Sequence, residues 1–355
     1  MAESSATLTF QDLLLFVAEY YGVANYDTNG LPYIPADDAF NLRECKKIVN
    51  EAIRMFVSRP PSANGKWRWM NRTETVTFDP TGGGANNIDS DAARYMLSAG
   101  CSQPAGRITY TADSGHGTYM EWCDINQILQ SRELSIITGY PSLAAIRPYQ
   151  PITNVLTSSR RWEIMFDPAP SSIQSVTFPY ILQFDKMQLE GGTADSANAT
   201  TLVDSDRLES DDFFNTWIIY IISGTGKGSY AVVTDYVKTT GTFTVADWLD
   251  AQGVAGGTDP DVDSIYVVEP AANLHPAGAQ FDEAIKVACY AKCEMEAEDA
   301  ELGNKYIKYF DDVALPAAYL IDSNSAPRTL GKMYNGRRDH TNRFIRVWDN
   351  VNFNT

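Results

Sequence analysis

The sequence predicts an α+β protein in which helices from both ends of the chain form one bundle, with a β-rich middle region and a small inserted β-module. Apolar residues recur every three or four positions in the first 60 residues and again between residues 281 and 320, as in amphipathic helices. Between these segments the apolar residues alternate with polar ones, as in half-buried strands. Separate apolar helix stripes are most stable when they cover one another, which predicts the bundle.

Composition and charge exclude several classes of protein. The 355 residues include 28 Lys and Arg against 45 Asp and Glu, a net charge of −17, which argues against a general nucleic-acid binder. The longest apolar runs, Leu13–Ala18 and Trp217–Ile222, are six residues each, so no membrane contact is expected. Glu3 and Asp12 interrupt any signal-peptide pattern, and five scattered cysteines predict no disulfide framework. We therefore expect synthesis in the cytoplasm.

The helical segments have recognisable ends. The first stripe ends at Gly22, the second helix begins at an N-cap on Asp37 or Asp38, and Pro60 stops it. Two C-terminal stripes consist of Phe281, Ile285, Ala288, Cys289, Lys292 and Met295, and then of Leu302, Tyr306, Phe310, Val313, Ala317 and Leu320. We expect Pro316 to kink the last helix.

The middle of the chain contains two kinds of β sequence. The strands predicted before residue 185 are Thr73–Phe78, Arg107–Tyr110, Tyr119–Trp122, Glu133–Ile137, Trp162–Phe166 and Ser175–Phe184. Residues 185–270 contain 15 Asp and Glu against 4 Lys and Arg, with strand runs at 217–222, 230–234 and 242–245. The predicted domains are 1–184, with the N-terminal helices and β-rich region, an acidic β-module at 185–270, C-terminal helices at 271–325, and a basic arm at 326–355.

Two short motifs suggest ligand sites but are better interpreted as loops. Gly224–Gly228 contains the lysine of a phosphate loop, yet Ile221 stands where that motif needs a glycine, which favours a hairpin turn. Asp259–Asp263 resembles the start of a calcium loop, but Ser264 replaces the required glycine, which favours a solvated acidic loop.

Candidate catalytic and metal-binding residues are equally weak. Cys289 and Cys293 lie one helical turn apart, but no second pair of ligands completes a zinc site, so a buried core is the better interpretation. His116 has no neighbouring nucleophile in a recognisable motif. We predict no catalytic residue, no cofactor and no metal, although 45 acidic residues leave a pair of catalytic carboxylates open.

Two features remain that favour a structural role. Trp67 and Trp69 lie at the junction of helix and strand, where large flat side chains would lock the helices onto the β layer. The tail after Ala326 combines cations with aromatic residues, which predicts an arm that docks on a partner, the alternative being a solvated tail. The predicted docking residues are Arg328, Lys332, Arg337, Arg338, Arg343, Phe344, Arg346 and Trp348.

The order of these features is typical of one family. The segments that carry it are Phe10–Leu14, Asn41–Ser58, Lys66–Met70 leading into Thr75–Phe78, Arg160–Pro168, Phe281–Ala300, Tyr306–Ala318 and Gly331–Met333. Together they resemble the head-to-tail adaptor, or connector, proteins of tailed bacteriophages. The resemblance covers 1–184 and 271–333, and the acidic module is an addition to it.

The resemblance implies a virion structural protein of the neck and not an enzyme. Such adaptors form a ring, here expected to be dodecameric, under the portal protein and extend the DNA ejection channel towards tail or nozzle proteins. Genomic DNA would pass through the lumen without sequence-specific binding, and a net acidic wall would repel its phosphates. The alternative is a tail- or fibre-associated module that binds a glycan or cell surface.

Overall fold

Helices and strands both contribute widely to the fold, which confirms the predicted mixed α+β class. The computed structural model describes residues 7–37, 39–61, 66–82, 86–88, 91–111, 120–134, 137–149, 161–297 and 304–323. Its helices are α1 (Phe10–Tyr21), α2 (Ala39–Val57), α3 (Ile125–Leu134), α4 (Asp282–Glu296), α5 (Lys305–Tyr309) and α6 (Leu315–Ser323), with a π-helical turn at Phe310–Ala314.

The strands fall on both sides of residue 186. The earlier ones are β1 (Asn25–Tyr26), β2 (Pro32–Tyr33), β3 (Asn71–Phe78), β4 (Asn87–Ile88), β5 (Asp91–Met96), β6 (Cys101–Pro104), β7 (Thr109–Tyr110), β8 (Glu121–Trp122), β9 (Thr138–Gly139), β10 (Leu143–Pro148), β11 (Trp162–Asp167), β12 (Ala169–Pro170) and β13 (Gln174–Leu182). The later ones are β14 (Glu190–Thr193), β15 (Ser196–Ala197), β16 (Thr201–Val203), β17 (Ile218–Ser223), β18 (Tyr230–Val237), β19 (Thr242–Val245) and β20 (Ile265–Glu269).

The chain divides into two compact units. One combines 1–65 with 187–355, and the other spans 66–186. The predicted domain boundaries after residues 184, 270 and 325 stay predictions. They mark changes in residue composition along the chain, whereas the two units group residues that lie close together in space. Each unit is described by itself below.

Helix α1 begins and ends where its sequence dictates. The Thr9 hydroxyl accepts a hydrogen bond from the Asp12 backbone N–H at 3.2 Å, and the Asp12 carboxylate accepts one from the Thr9 N–H at 2.8 Å. This reciprocal pair satisfies two N–H groups at the helix start. Gly22 ends the helix at a φ of 67°, a left-handed conformation that glycine adopts without strain. The predicted end at Gly22 is confirmed.

Helices from the two ends of the chain contact one another in the first unit. The rings of Phe56 in α2 and Phe281 just before α4 lie 5.7 Å apart. The Tyr21 hydroxyl donates to the backbone oxygen of Cys293 at 3.1 Å, across 272 positions of sequence. The buried apolar residues of these three helices include Phe10, Leu13, Leu14, Val17, Leu42, Ile48, Val49, Ile53, Phe56, Ile285, Ala288, Cys289 and Cys293.

The strands from Glu190 to Glu269 form one seven-stranded sheet, which we call the barrel. Their order is β14-β20-β17-β18-β19-β16-β15. The first and last strands of this order follow one another in the chain, separated only by Ala194 and Asp195, so the backbone passes directly from one edge of the sheet to the other. The barrel core consists of Ala194, Leu202, Phe214, Ile219, Ile221, Ala231, Val233, Tyr236, Phe243, Val245, Trp248, Tyr266 and Val268.

Polar contacts join the barrel to the helices where the chain enters and leaves it. At the entry, the Lys46 ammonium in α2 lies 2.7 Å from the Glu190 carboxylate. At the exit, the Gln11 amide in α1 donates to the Glu269 carboxylate at 2.8 Å. Burial raises the pKa of Glu269. These contacts explain why the barrel and the helices belong to one unit.

The second unit is a two-layered β structure. One layer has the strand order β4-β5-β11-β10-β8, and the other contains β3, β13, β6 and β7. Phe78 of β3 and Phe166 of β11 meet edge to face, with ring centroids 4.5 Å apart. The core between the layers consists of Val76, Phe78, Tyr95, Leu97, Cys101, Ile108, Met120, Ala144, Ile164, Phe166, Val176, Phe178 and Tyr180.

One carboxylate is buried on the other face of the five-stranded layer. Glu163 is fully buried, and its oxygens pair with Arg94, at 2.9 Å, and with Arg147. The three residues lie on the adjacent strands β5, β11 and β10. A buried carboxylate needs such partners, because removing a charge from water without them costs several kcal/mol.

The predicted strand at Glu133–Ile137 is wrong. Glu133 belongs to α3, Ile137 is outside any strand, and residues 135 and 136 lie outside the described part of the chain. The strand that follows, Thr138–Gly139, pairs with β12. Ile128 is fully buried in α3 and packs on Ala145 and Met165, so the helical spacing of its apolar residues decides the structure. The other strands predicted within the described residues are confirmed, with ends shifted by a few positions.

Candidate functional site

The last helix shows a different face from the predicted one. Phe310 is fully buried as expected, but Val313 and Leu320 of the same predicted stripe are 47% and 57% exposed. The π-helical turn at Phe310–Ala314 adds a residue to the helix and turns the following part by roughly 100°. Pro316 explains why the π turn lies here, because proline has no N–H to donate to the carbonyl four residues earlier. The expected kink is therefore a π turn, and the predicted stripe changes faces there.

This change of register leaves an exposed apolar stripe along α5 and α6. We define it by Tyr309, Val313, Pro316, Ala317 and Leu320, all of which are exposed. Val313, Ala317 and Leu320 recur at spacings of four and three, and all five residues are exposed, whereas Phe310, Ala314, Leu315 and Ala318 of the same segment are buried. Exposed apolar residues that form a contiguous patch, unlike scattered ones, are typical of a surface that another protein covers.

Three adjoining hollows continue this surface across the ends of the other helices. Tyr306 and Tyr309 line the first, of about 410 Å³, and Tyr20, Tyr21 and Tyr306 line the second, of about 460 Å³. Tyr21 and Phe40 line the third, of about 290 Å³. Because Tyr306 and Tyr21 are each shared by two hollows, the three form one groove. We call it the groove and define it by these five aromatic residues.

Ring contacts hold the walls of the groove. Tyr20 meets Tyr306 edge to face at 6.1 Å and Tyr21 at 5.5 Å, while Tyr290 lies 5.0 Å from Tyr306. Aromatic pairs at these distances add to the stability that burial provides. Burial also raises the pKa of both Tyr20 and Tyr21, so their hydroxyls stay protonated at neutral pH.

Carboxylates lie along the groove beside the aromatic rings. The Glu294 carboxylate accepts hydrogen bonds from the Tyr306 and Ile307 N–H groups at 2.8 and 3.0 Å and so caps the start of α5. Hydrogen bonds from Lys292 and Lys47 lower the pKa of Glu296. The other carboxylates that line the groove are Glu44 and Asp312. The cations that line it are Lys305 and Lys308.

The cysteines near the groove are buried thiols. Cys45 lines the third hollow, and burial raises its pKa to about 11. Burial likewise raises the pKa of Cys293 to about 12 and that of Cys289 further. All three stay protonated at neutral pH, whereas the reactive form of cysteine is the thiolate. The predicted burial of Cys289 and Cys293 in a helix core is confirmed. Among the described residues, no three His, Cys, Asp or Glu side chains are grouped as metal ligands.

The lysine of the phosphate-loop-like motif is part of a turn. Residues 224–228 join β17 to β18, and Gly224, Gly226 and Gly228 all have positive φ, between 78° and 88°. Lys227 pairs with the carboxylate of Asp27, and this hydrogen bond is the main reason why the pKa of Asp27 is lowered. The hairpin-turn interpretation is confirmed.

The calcium-loop-like motif uses its central carboxylate locally. The Asp261 side chain accepts a hydrogen bond from the Asp263 N–H at 2.9 Å. The Ser264 hydroxyl donates to the backbone oxygen of Thr225 at 2.6 Å and ties this loop to the turn after β17. Hydrogen bonds lower the pKa of Asp261. The carboxylate therefore organises the loop itself.

The predicted site residues fall in two groups. Trp67 is fully buried and its ring lies 6.5 Å from that of Trp69, while their role at a helix–sheet junction stays a prediction. The other predicted residues lie outside the described part of the chain; they are Arg328, Lys332, Arg337, Arg338, Arg343, Phe344, Arg346 and Trp348, together with His116.

Comparison of the chain with protein-family models, with curated proteins and with solved structures found no match. In the described ranges, no helix is long and apolar enough to cross a membrane.

The groove was not predicted from the sequence. Its residues come from α1, α2 and α5, and no spacing along the chain relates them. One signal was present: Phe40 lies off the apolar stripe of its helix, formed by residues such as Leu42 and Cys45, and it is 62% exposed. A large apolar residue on the polar face of a helix is a recognisable sign of a contact surface.

Proposed function

We propose that the chain is a virion structural protein, the subunit of a ring-forming head-to-tail adaptor. The observation that carries this proposal is the exposed apolar stripe on α5 and α6 and its continuation into the groove. A subunit of a ring must present one surface to the next copy and another to the portal, so it needs large apolar surfaces that the isolated chain leaves exposed. The sequence resemblance supplies the type of assembly.

In this proposal each region has a separate task. The helices from both ends of the chain would form the bundle of the adaptor core, together with the β-rich region at 66–186. The barrel would project from the ring, because its net charge of −11 between residues 190 and 269 would repel neighbouring copies if it lay between them. Genomic DNA would pass through the lumen without being held.

The proposed partners are the portal protein on one side of the ring and tail or nozzle proteins on the other. The basic arm at 326–355 would dock on the portal or on the next subunit. Its six cations suit an acidic partner, and Phe344 and Trp348 would be buried on docking, each contributing on the order of 2 kcal/mol.

A second candidate function has its own observation. Phe213 in the barrel unit is 41% exposed, and its ring lies 5.3 Å from that of Trp217. Exposed aromatic faces can stack on sugar rings, so the chain could instead be a tail- or fibre-associated module that binds a glycan on the cell surface. A ring subunit does not require this pair. Exchanging both residues for serine should abolish glycan binding if the chain is such a module, and should leave ring formation unchanged if it is an adaptor.

Negative-stain electron microscopy tests the proposal. The purified chain, alone or mixed with filled heads that lack the neck, should form rings of uniform diameter seated at one vertex. Removing Gly331–Thr355 should leave the melting temperature nearly unchanged and abolish attachment to heads. Compact monomers or rods would contradict the proposal, and retention of full attachment by the truncated chain would reduce the arm to a solvated tail.

A further inference from the structure

The groove and the C-terminal arm have complementary chemistry. The groove joins five aromatic residues to four carboxylates, Glu44, Glu294, Glu296 and Asp312, and to two cations, Lys305 and Lys308, so its lining has a net charge of −2. Residues 271–325, which supply α4 to α6, contain ten Asp and Glu against four Lys. Residues 326–355 contain six Lys and Arg against two Asp. An acidic aromatic groove and a basic aromatic segment are the combination in which charge guides the approach and apolar burial supplies the affinity.

We propose that the groove binds residues 326–355 of a second copy of this chain. The arm would place Phe344 and Trp348 against the aromatic walls, and its arginines beside Glu44 and Asp312. Arginine also stacks on aromatic faces, so the same residues can satisfy both parts of the groove. This inference deepens the proposed function, because a groove on one copy that takes the arm of the next is a head-to-tail contact, and such contacts generate rings.

Charge complementarity suits an exchange between copies. Residues 1–325 have a net charge of −21, and residues 326–355 have a net charge of +4. An arm that crosses to a neighbour therefore places its cations against that neighbour's acidic surface and offsets part of the repulsion between the two copies at their contact.

The length of the arm permits the crossing. It begins at Ala326, three positions after the last residue of α6, and its 30 residues span up to about 100 Å when extended. The groove of an adjacent copy in contact with this one therefore lies within reach.

Charge exchange tests the contact in the full-length chain. The groove variant Glu44→Lys/Asp312→Lys and the arm variant Arg343→Glu/Arg346→Glu should each weaken self-association at least about tenfold in sedimentation velocity. Mixing the two variants, or placing all four substitutions in one chain, should restore association. If the substitutions weakened association by destabilising the fold, mixing or combining them would not restore it. Recovery therefore identifies the contact itself as the cause.

Matched variants control for charge and for lost apolar surface. Asp206→Lys/Glu283→Lys changes the charge equally at exposed positions outside the groove, on the barrel and at the far end of α4, and should leave association unchanged. Phe40→Ser should weaken association, whereas Leu208→Ser should not, although Leu208 is 80% exposed. Equal effects in variant and control would overturn the proposal.

A cross-link identifies the occupant. A benzophenone amino acid at position 40 of an unlabelled chain, mixed with ¹⁵N-labelled chain, should capture labelled peptides from 326–355. Capture of the chain's own arm alone would overturn the exchange between copies, and capture of any other segment would overturn the arm as occupant. Formation of rings that none of the groove variants disturbs would contradict this inference and still support the proposed function. Restored association that yields no rings would support this inference and contradict the proposed function.

Discussion

The barrel at 190–269 and the two-layered region at 66–186 are both β structures with thirteen buried core residues, yet their charges differ. The barrel has fourteen Asp and Glu against three Lys and Arg, a net charge of −11. The two-layered region has eleven against ten, a net charge of −1. Core packing therefore does not constrain surface charge. The acidity of this chain is concentrated in the seven-stranded sheet of the barrel.

The two regions also bury a carboxylate in different ways. Glu163 lies between two arginines and is fully buried. Asp204 in the barrel is 4% exposed; it accepts a hydrogen bond from the Tyr266 hydroxyl at 2.6 Å and lies 3.5 Å from Arg207. The first site depends on charge, while the second combines a neutral donor with one cation. We expect the two sites to respond unequally to removal of the negative charge.

Deleting the barrel is the largest change that tests this comparison. Replacing Gly191–Val268 by a short Gly-Ser linker should leave a folded, assembling protein, because the barrel has a core of its own. Far-ultraviolet circular dichroism should retain the helical signal, and the melting transition of the two-layered region should persist. Loss of all soluble expression would contradict the separation of the two cores.

Removing the carboxylate of Glu163 should have the next largest effect. Glu163→Ala removes the buried carboxylate that Arg94 and Arg147 share, which should cost about 3–5 kcal/mol of unfolding free energy. Hydrogen exchange should accelerate in β5, β10 and β11 and stay unchanged in the barrel. Faster exchange throughout the barrel would show that the two regions unfold together.

The matched change in the barrel should cost less. Asp204→Asn keeps an oxygen that accepts the Tyr266 hydroxyl hydrogen bond and removes only the charge near Arg207, so we expect a loss of about 1–3 kcal/mol. Urea unfolding of both variants gives the comparison directly. A loss equal to that of Glu163→Ala would mean that both sites depend on charge.

The smallest effect concerns pH. Burial raises the pKa of Glu269 above its unfolded value, so the folded chain holds a proton that the unfolded chain loses between those two pKa values. The contribution of Glu269 to stability is therefore complete below the unfolded pKa and falls as pH rises through the folded pKa. Glu269→Gln should flatten this decline in a series of melting temperatures between pH 4 and pH 8. An unchanged profile would assign the decline to other groups.

The sequence predicted elements well where local signals act alone. Gly22 ends a helix because of its own backbone, and the alternation in Thr73–Phe78 is sufficient for a strand. It failed at α3, although Ile125, Ile128 and Leu129 recur at helical spacing, because the stripe is short and strand-like residues follow it. Packing of this stripe on Ala145 and Met165 supports the helix, and these two residues are distant in the sequence.

The candidate site was harder to predict for the same reason. The exposure of Val313 and Leu320 depends on one extra residue in a π turn, which a fixed helical period cannot represent. The groove depends on which helix ends meet, and the barrel depends on a chain that passes from one edge of the sheet to the other over the two residues Ala194 and Asp195. Each of these features depends on tertiary contacts between segments that are distant in the sequence or on a local irregularity of the helix, and a periodic sequence pattern contains neither.

The pairing of β14 with β20 has a consequence for how this chain could have arisen. Glu190 and Val268 are directly opposite one another, so the points where the chain leaves and rejoins the helices lie about 5 Å apart. A gap of that width is closed by a single turn, at little cost in chain entropy. A gene encoding the helices and the two-layered region could therefore gain, lose or exchange the segment between these points without redesign of its host. The same property makes the position suitable for carrying a foreign domain of similar end-to-end spacing.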